Sequence, residues 1–173
     1  MPQFNESQAE CLVFTFKDGL LSKIAHDLKV RVTRFSVDVS PSSVRAEFDL
    51  QSLRVVTAMK DGQENPASLS DSDKTKIAEQ IVKEVLHSTE HRSAVFNSRS
   101  VTRRSDGGYS IAGDLTLHGV TKAIQAETQL EAGRQVASIE LHQPDYGITP
   151  FKAMMGTLKV KPDLVVRLSV PQD

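Results

Sequence analysis

The sequence predicts a mainly β protein, an eight-stranded antiparallel barrel with one amphipathic helix capping an end. Three features carry that expectation. Apolar and polar residues alternate with period two along most of the chain, turn-forming residues separate the alternating runs, and one stretch alone has helical periodicity. Successive strands joined by short loops describe a meander, because parallel strands would need long crossovers. The 173 residues (1–173) read as a single domain without internal repeats.

Leu12 to Phe16 opens the strand series. Further on, Leu28, Val30 and Val32 share one phase while Phe35, Val37 and Val39 take the other, so a bulge or sharp bend is expected at Thr33-Arg34. Ser40-Pro41-Ser42 reverses the chain into Ser43 to Leu50, where Val44, Ala46, Phe48 and Leu50 face one way. Gly62 to Ser70 is a polar loop. Between Ser72 and His87, the apolar residues Ile77, Ile81, Val82, Val85 and Leu86 form one helical stripe. Ser70, Asp71, Ser72 and Asp73 offer caps and negative charge to its first turn. A strand begins near Ala94. Tyr109 to His118, Thr121 to Glu131, Gln135 to His142 and Leu158 to Val170 follow, with Asp106-Gly107-Gly108, Gly119 and Gly133 at reversals.

Charged residues make up 25% of the chain, balance to a net charge of -1 and are scattered, which argues against a basic face that holds nucleic acid. No window approaches the roughly 20 apolar residues of a membrane-spanning helix. The first ten residues lack a basic start and an apolar core. A cytoplasmic location is expected for the sequence as written, and a periplasmic one if a leader has been removed. The lone Cys11 excludes an internal disulfide and a cysteine zinc site. The inward set mixes the small residues Ala46, Gly113, Ala126, Thr128 and Ala137 with Val, Leu, Ile and Phe. Aromatic residues are only 5% and Trp is absent, so few bulky plugs are on hand. An aliphatic cavity and a filled interior both stay open.

Candidate chemistry is sparse. His87-Ser88-Thr89-Glu90-His91 has the H-x-x-E-H spacing of one zinc-protease class, which needs a helix running through the second histidine. The apolar stripe stops at Leu86, so the segment reads instead as a solvated helix end. His26 and Asp27 are adjacent and point to opposite faces of a strand, and no G-x-S-x-G elbow is present. His26, His118 and His142 could converge at a barrel rim as metal ligands, against the plainer reading of exposed rim residues. Neither a P-loop nor G-x-G-x-x-G occurs; no cofactor and no metal are expected.

Gly113-Asp114-Leu115-Thr116-Leu117-His118-Gly119-Val120-Thr121-Lys122 resembles the G-x-L-T-L-x-G-V-T-K signature of the YceI-like family. Val85 to Ser98 is similar to that family's "t-x-y-P-x-i-x-F-x-S" approach to the next strand, and Asp145-Tyr146-Gly147-Ile148 to its late "d-F-G-I" turn. Two departures stand out: Leu69-Ser70-Asp71-Ser72-Asp73-Lys74 replaces an R-D-x-H-L stretch, and Arg92 replaces a proline. The resemblance implies a lipocalin-like eight-stranded barrel with a long apolar pocket that in some members holds a polyisoprenoid chain such as a quinone tail. It also implies frequent homodimers and frequent export to the periplasm.

The expected function is non-catalytic binding or sequestration of an apolar molecule, of the polyisoprenoid or quinone type. The partner is then a small apolar molecule or isoprenoid lipid, with no nucleic acid and no membrane span, and a homodimer as the family resemblance suggests. Val32, Phe35, Val37, Phe48, Leu115, Leu117, Ile139 and Val166 are the expected lining, with Ile81 and Leu86 from the helical lid. The alternatives are a metal protein or enzyme using the rim histidines, and a filled barrel acting through its surface.

Overall fold

The computed structural model describes residues 2–18, 26–153 and 158–172. The chain opens with β1 (Gln3–Asn5), β2 (Glu10–Thr15), β3 (Lys17–Asp18), β4 (Asp27–Val32) and β5 (Phe35–Val39). β6 (Val44–Asp49), β7 (Leu53–Lys60) and β8 (Gln63–Asn65) lead to helix α1 (Asp71–Gln80), which runs on as a π-helical turn over Ile81–Val85. β9 (Ser93–Arg103), β10 (Tyr109–Leu117), β11 (Val120–Glu131) and β12 (Arg134–His142) form a meander. β13 (Lys152–Ala153), β14 (Leu158–Val160) and β15 (Asp163–Pro171) end it.

Twelve strands pair in one sheet, in the order β1-β5-β6-β9-β10-β11-β12-β15-β2-β4-β7-β8, and β13-β14-β3 make a small second sheet. The sequence suggests eight strands, and the difference has a physical cause: long strands are broken by bends, and short strands flank them. The chain bends at Thr33-Arg34, so β4 pairs with β7 while β5 pairs with β6. β6 and β7 are parted at the same level by a 3-10 turn over Leu50–Ser52. β1 runs along β5 and β2 along β4, on the same flank. Followed through these bends, the antiparallel ladders return from β15 to β2, with Arg167 opposite Leu12. The sheet thus curls round and meets itself as a barrel.

The bend is held by one buried serine. Ser52 Oγ accepts a hydrogen bond from the Arg34 backbone N–H at 2.9 Å and donates to the Asp49 carbonyl at 2.6 Å. The Thr33 hydroxyl donates to the Ser52 carbonyl at 2.7 Å. A corner removes backbone groups from the regular ladder, and these bonds satisfy them. The phase switch between Val32 and Phe35 is therefore a corner that turns both residues inward, each less than a tenth exposed.

Helix α1 begins with a reciprocal cap. Ser70 Oγ accepts from the Asp73 N–H, and the Asp73 carboxylate accepts from the Ser70 N–H, both at 3.1 Å. That backbone hydrogen bond holds the Asp73 carboxyl below the usual carboxylate range. Ala78, Ile77, Ile81, Val82 and Leu86 pack against the barrel core, so the stripe legible in the sequence is the buried face. The helical run stops at Leu86, because His87 takes a left-handed conformation (φ 47°).

Candidate functional site: a cavity along the barrel

The barrel holds a cavity of about 950 Å³ lined mainly by aliphatic and aromatic side chains. This lies at the upper end of the roughly 300–1,000 Å³ range of ligand pockets. Its origin is visible in β15, where Leu164, Val166, Leu168 and Val170 face inward yet are only half-buried, since the cavity lies in front of them. The wall is thinned further by Ala46, Ala126 and Ala137, the last directly beside Leu168 on the adjoining strand.

Nine of the ten residues expected to line a pocket lie on this wall: Val32, Val37, Phe48, Leu115, Leu117, Ile139 and Val166 from strands, and Ile81 and Leu86 from the helix and its end. Phe35 does not. Its ring stacks on Phe48 with centroids 5.7 Å apart and is buried in the core outside the cavity wall. Gly113 also differs from expectation, for the space it leaves is taken by a neighbour. A Cβ there would sit 2.6 Å from Phe96 Cζ and 2.4 Å from the Asn97 carbonyl oxygen, so the Phe96 ring lies directly over the glycine. Phe96 itself lines the cavity, a role that strand alternation alone does not reveal.

The two ends differ. At one end Thr128 donates to the Gln135 side-chain carbonyl, Gln135 donates to Gln172 and to the Gly107 carbonyl, and the Tyr109 N–H donates to Thr128. The polar groups of this end are thus engaged with one another. At the opposite end, under α1, the wall carries His26, Ser68, Asp73, Lys76 and Gln80. An amphiphile lying along the barrel would therefore find apolar walls for its chain and polar, ionisable groups at the helix end. Cys11 faces the cavity, and burial pushes its thiol up to about 12, so it sits there as an unreactive apolar surface.

The rim histidines do not converge as a set. His26 lines the helix end of the cavity, and its neighbour Asp27 turns away to accept a hydrogen bond from the Lys17 N–H at 2.8 Å. His142 is exposed, with its Nδ1 2.6 Å from Asp163 Oδ1, which raises its pKa above the ordinary histidine value. His118 instead meets His87 and His91, which the sequence reading leaves in solvent at a helix end. Among the described residues no group of three or more His, Cys, Asp or Glu side chains could hold a metal ion. No helix among them is long and apolar enough to cross a membrane.

The profile of the YceI-like domain matches residues 7–171. The chain belongs to the YceI-like family. Solved structures agree on the fold of this YceI-like protein. Burkholderia cenocepacia BcnA superposes with a TM-score of 0.66 over 95% of this chain and 96% of that one, at 12% identity. A polyisoprenoid binding domain from Saccharophagus degradans, implicated in plant cell wall breakdown, gives 0.62 over 97% and 94%, also at 12% identity. The Campylobacter jejuni YCEI protein gives 0.56 over 91% of each chain, again at 12%. No curated protein matches the sequence.

Proposed function

We propose that this YceI-like protein is a non-catalytic carrier that sequesters a long apolar molecule of the polyisoprenoid or quinone type inside its barrel. The observation that carries the reading is the apolar cavity of about 950 Å³ running from the capped end to the helix. Its size favours an occupant. A chain of about ten buried methylenes contributes roughly 8 kcal/mol of gross transfer energy, from which the cost of immobilising it is subtracted. The fold shared with a polyisoprenoid binding domain supports the same ligand class. His26, Lys76 and Gln80 on the wall at the helix end support a polar head group there.

Native mass spectrometry of the purified protein, followed by organic extraction, tests this. A discrete co-purifying mass of several hundred daltons that partitions into solvent is the expected result. A bare polypeptide mass that stays unchanged after incubation with quinones and isoprenols overturns the reading. In the second arm, Leu115→Trp places a bulky ring in the channel and should abolish uptake while the circular dichroism stays that of a β protein.

A further inference from the structure

The small sheet β13-β14-β3 sits beside the helix end of the cavity. It grows out of β2, for the Lys161 N–H donates to the Phe16 carbonyl at 2.8 Å. Lys17, opposite Val160, donates its N–H to the carboxylate of Asp27, the neighbour of His26 on the cavity wall. Alternate residues of a strand point to opposite faces. Phe151 and Val160 line the cavity, so Lys152, Lys159 and Lys161, which adjoin them in the chain, lie on the outer face, and all three are exposed. Lys152 stands directly opposite Lys159. Like charges in that position weaken the pairing of two strands, here strands of only two and three residues. Lys29, Arg31, Arg104 and Arg167 each hold a carboxylate at 2.9 to 3.1 Å, whereas none of these three lysines makes an ion pair among the described residues.

We infer that the outer face of this sheet docks the protein on an anionic lipid bilayer, with the helix end of the barrel turned toward the membrane. Charges that read as scattered along the sequence are gathered here by strand pairing, beside the end of the cavity that carries polar groups. The carboxylates in reach do not cancel the face. Asp18, opposite Lys159, offsets one lysine, and the exposed Lys17 beside it adds another. Asp27 is engaged by the Lys17 N–H at 2.8 Å, and Asp163 by His142 at 2.6 Å. Ammonium groups on flexible stems meet phosphates as point charges and fix no single geometry, which suits a plane of many headgroups. A lysine near an anionic membrane strengthens attachment roughly fivefold, so three together act on the order of 100-fold, an attraction that salt screens. The docking face stands on this sheet alone. The carrier reading gives it a use, since an apolar cargo has to enter and leave from lipid.

The test is co-sedimentation of the delipidated full chain with large vesicles, of phosphatidylcholine alone or of phosphatidylcholine and phosphatidylglycerol mixed three to one. Binding is expected only where phosphatidylglycerol is present, and it should be lost in about 1 M sodium chloride, where charges are screened within roughly 3 Å. Lys152→Gln, Lys159→Gln and Lys161→Gln combined in one chain should weaken it at least about tenfold. Arg45→Gln, Arg99→Gln and Arg103→Gln combined, an equal change of charge on β6 and β9, should weaken it by less than about threefold. Both variants leave the apolar residues untouched, and circular dichroism checks their fold. Equal binding to both vesicle types, or a triple lysine variant that binds like its parent, overturns the docking face. So does the absence of binding to either, which would leave the lysines to an acidic macromolecule in solution. Because the chain is stripped of cargo, the two readings separate: vesicle binding without quinone uptake keeps the docking face and refutes the carrier, and the reverse refutes the docking face alone.

Discussion

A hollow barrel and a packed one respond to added bulk with opposite signs, and Val166 is the place to ask. Its side chain faces the cavity from β15 and is only half-buried. Val166→Phe adds four carbons that project into that space. At about 0.8 kcal/mol per buried carbon the gain is roughly 3 kcal/mol, less about 1 kcal/mol for lost rotamer freedom. The ligand-stripped variant should therefore be about 2 kcal/mol more stable than the stripped parent, which for a domain of this size raises Tm by roughly 4–8 °C. In a well-packed core the same change would be destabilising by about 1–3 kcal/mol. Urea unfolding followed by circular dichroism reads the sign, and displacement of a fluorescent apolar probe reads the remaining capacity, which should fall. A variant less stable by 1 kcal/mol or more, with undiminished probe uptake, would refute the placement of Val166 on a cavity wall.

Three other changes probe the scaffold. Gly113→Ala drives a methyl group into the Phe96 ring and the Asn97 carbonyl and should cost about 3 kcal/mol or more in urea unfolding, with Phe96→Leu restoring only part because the backbone contact remains. Ser52→Ala removes the acceptor of the part-buried Arg34 N–H at the corner and should lower the urea midpoint by the equivalent of about 1 kcal/mol without changing the slope. His142 has its pKa raised by Asp163, so its contribution to stability is complete below the unfolded pKa of about 6.5 and fades as pH rises through the higher folded value. His142→Ala should accordingly lower Tm at pH 5.5 and leave it unchanged at pH 9; equal losses at both would assign the effect to packing.

The strands were legible because period two is a direct record of one dry face, and the Thr33-Arg34 slip marked a true corner. What the period cannot report is where the barrel stops. Leu130 continues the dry phase of Ile124, Ala126 and Thr128, yet it is 46% exposed, past the polar cluster of Thr128 and Gln135. Nor does it report what fills a gap: Gly113 looked like open space until the register of β9 laid Phe96 across it. Phe35 obeyed its phase but found Phe48 beside it. Inward parity marked most of the residues that lie on the cavity wall, but not whether the interior is hollow. The histidine cluster was not legible, because it depends on how the turn after the helix meets the β10–β11 turn, a distance in sequence that no local pattern spans. The one local sign was the left-handed, turn-ready Gly119 beside His118.

The ladder between β2 and β15 joins the first long strand to the last, and this has a consequence for assembly. The other ladders join strands that lie nearer each other in the sequence, but the ring shuts only when residues at the two ends of the sequence find each other. Contacts of such long span form slowly, since loop closure is unfavourable until they are made. No contiguous fragment of the chain therefore contains the cavity. An apolar passenger cannot be enclosed by a nascent chain that lacks β15, so loading belongs to the finished molecule, or to the moment at which its two ends meet.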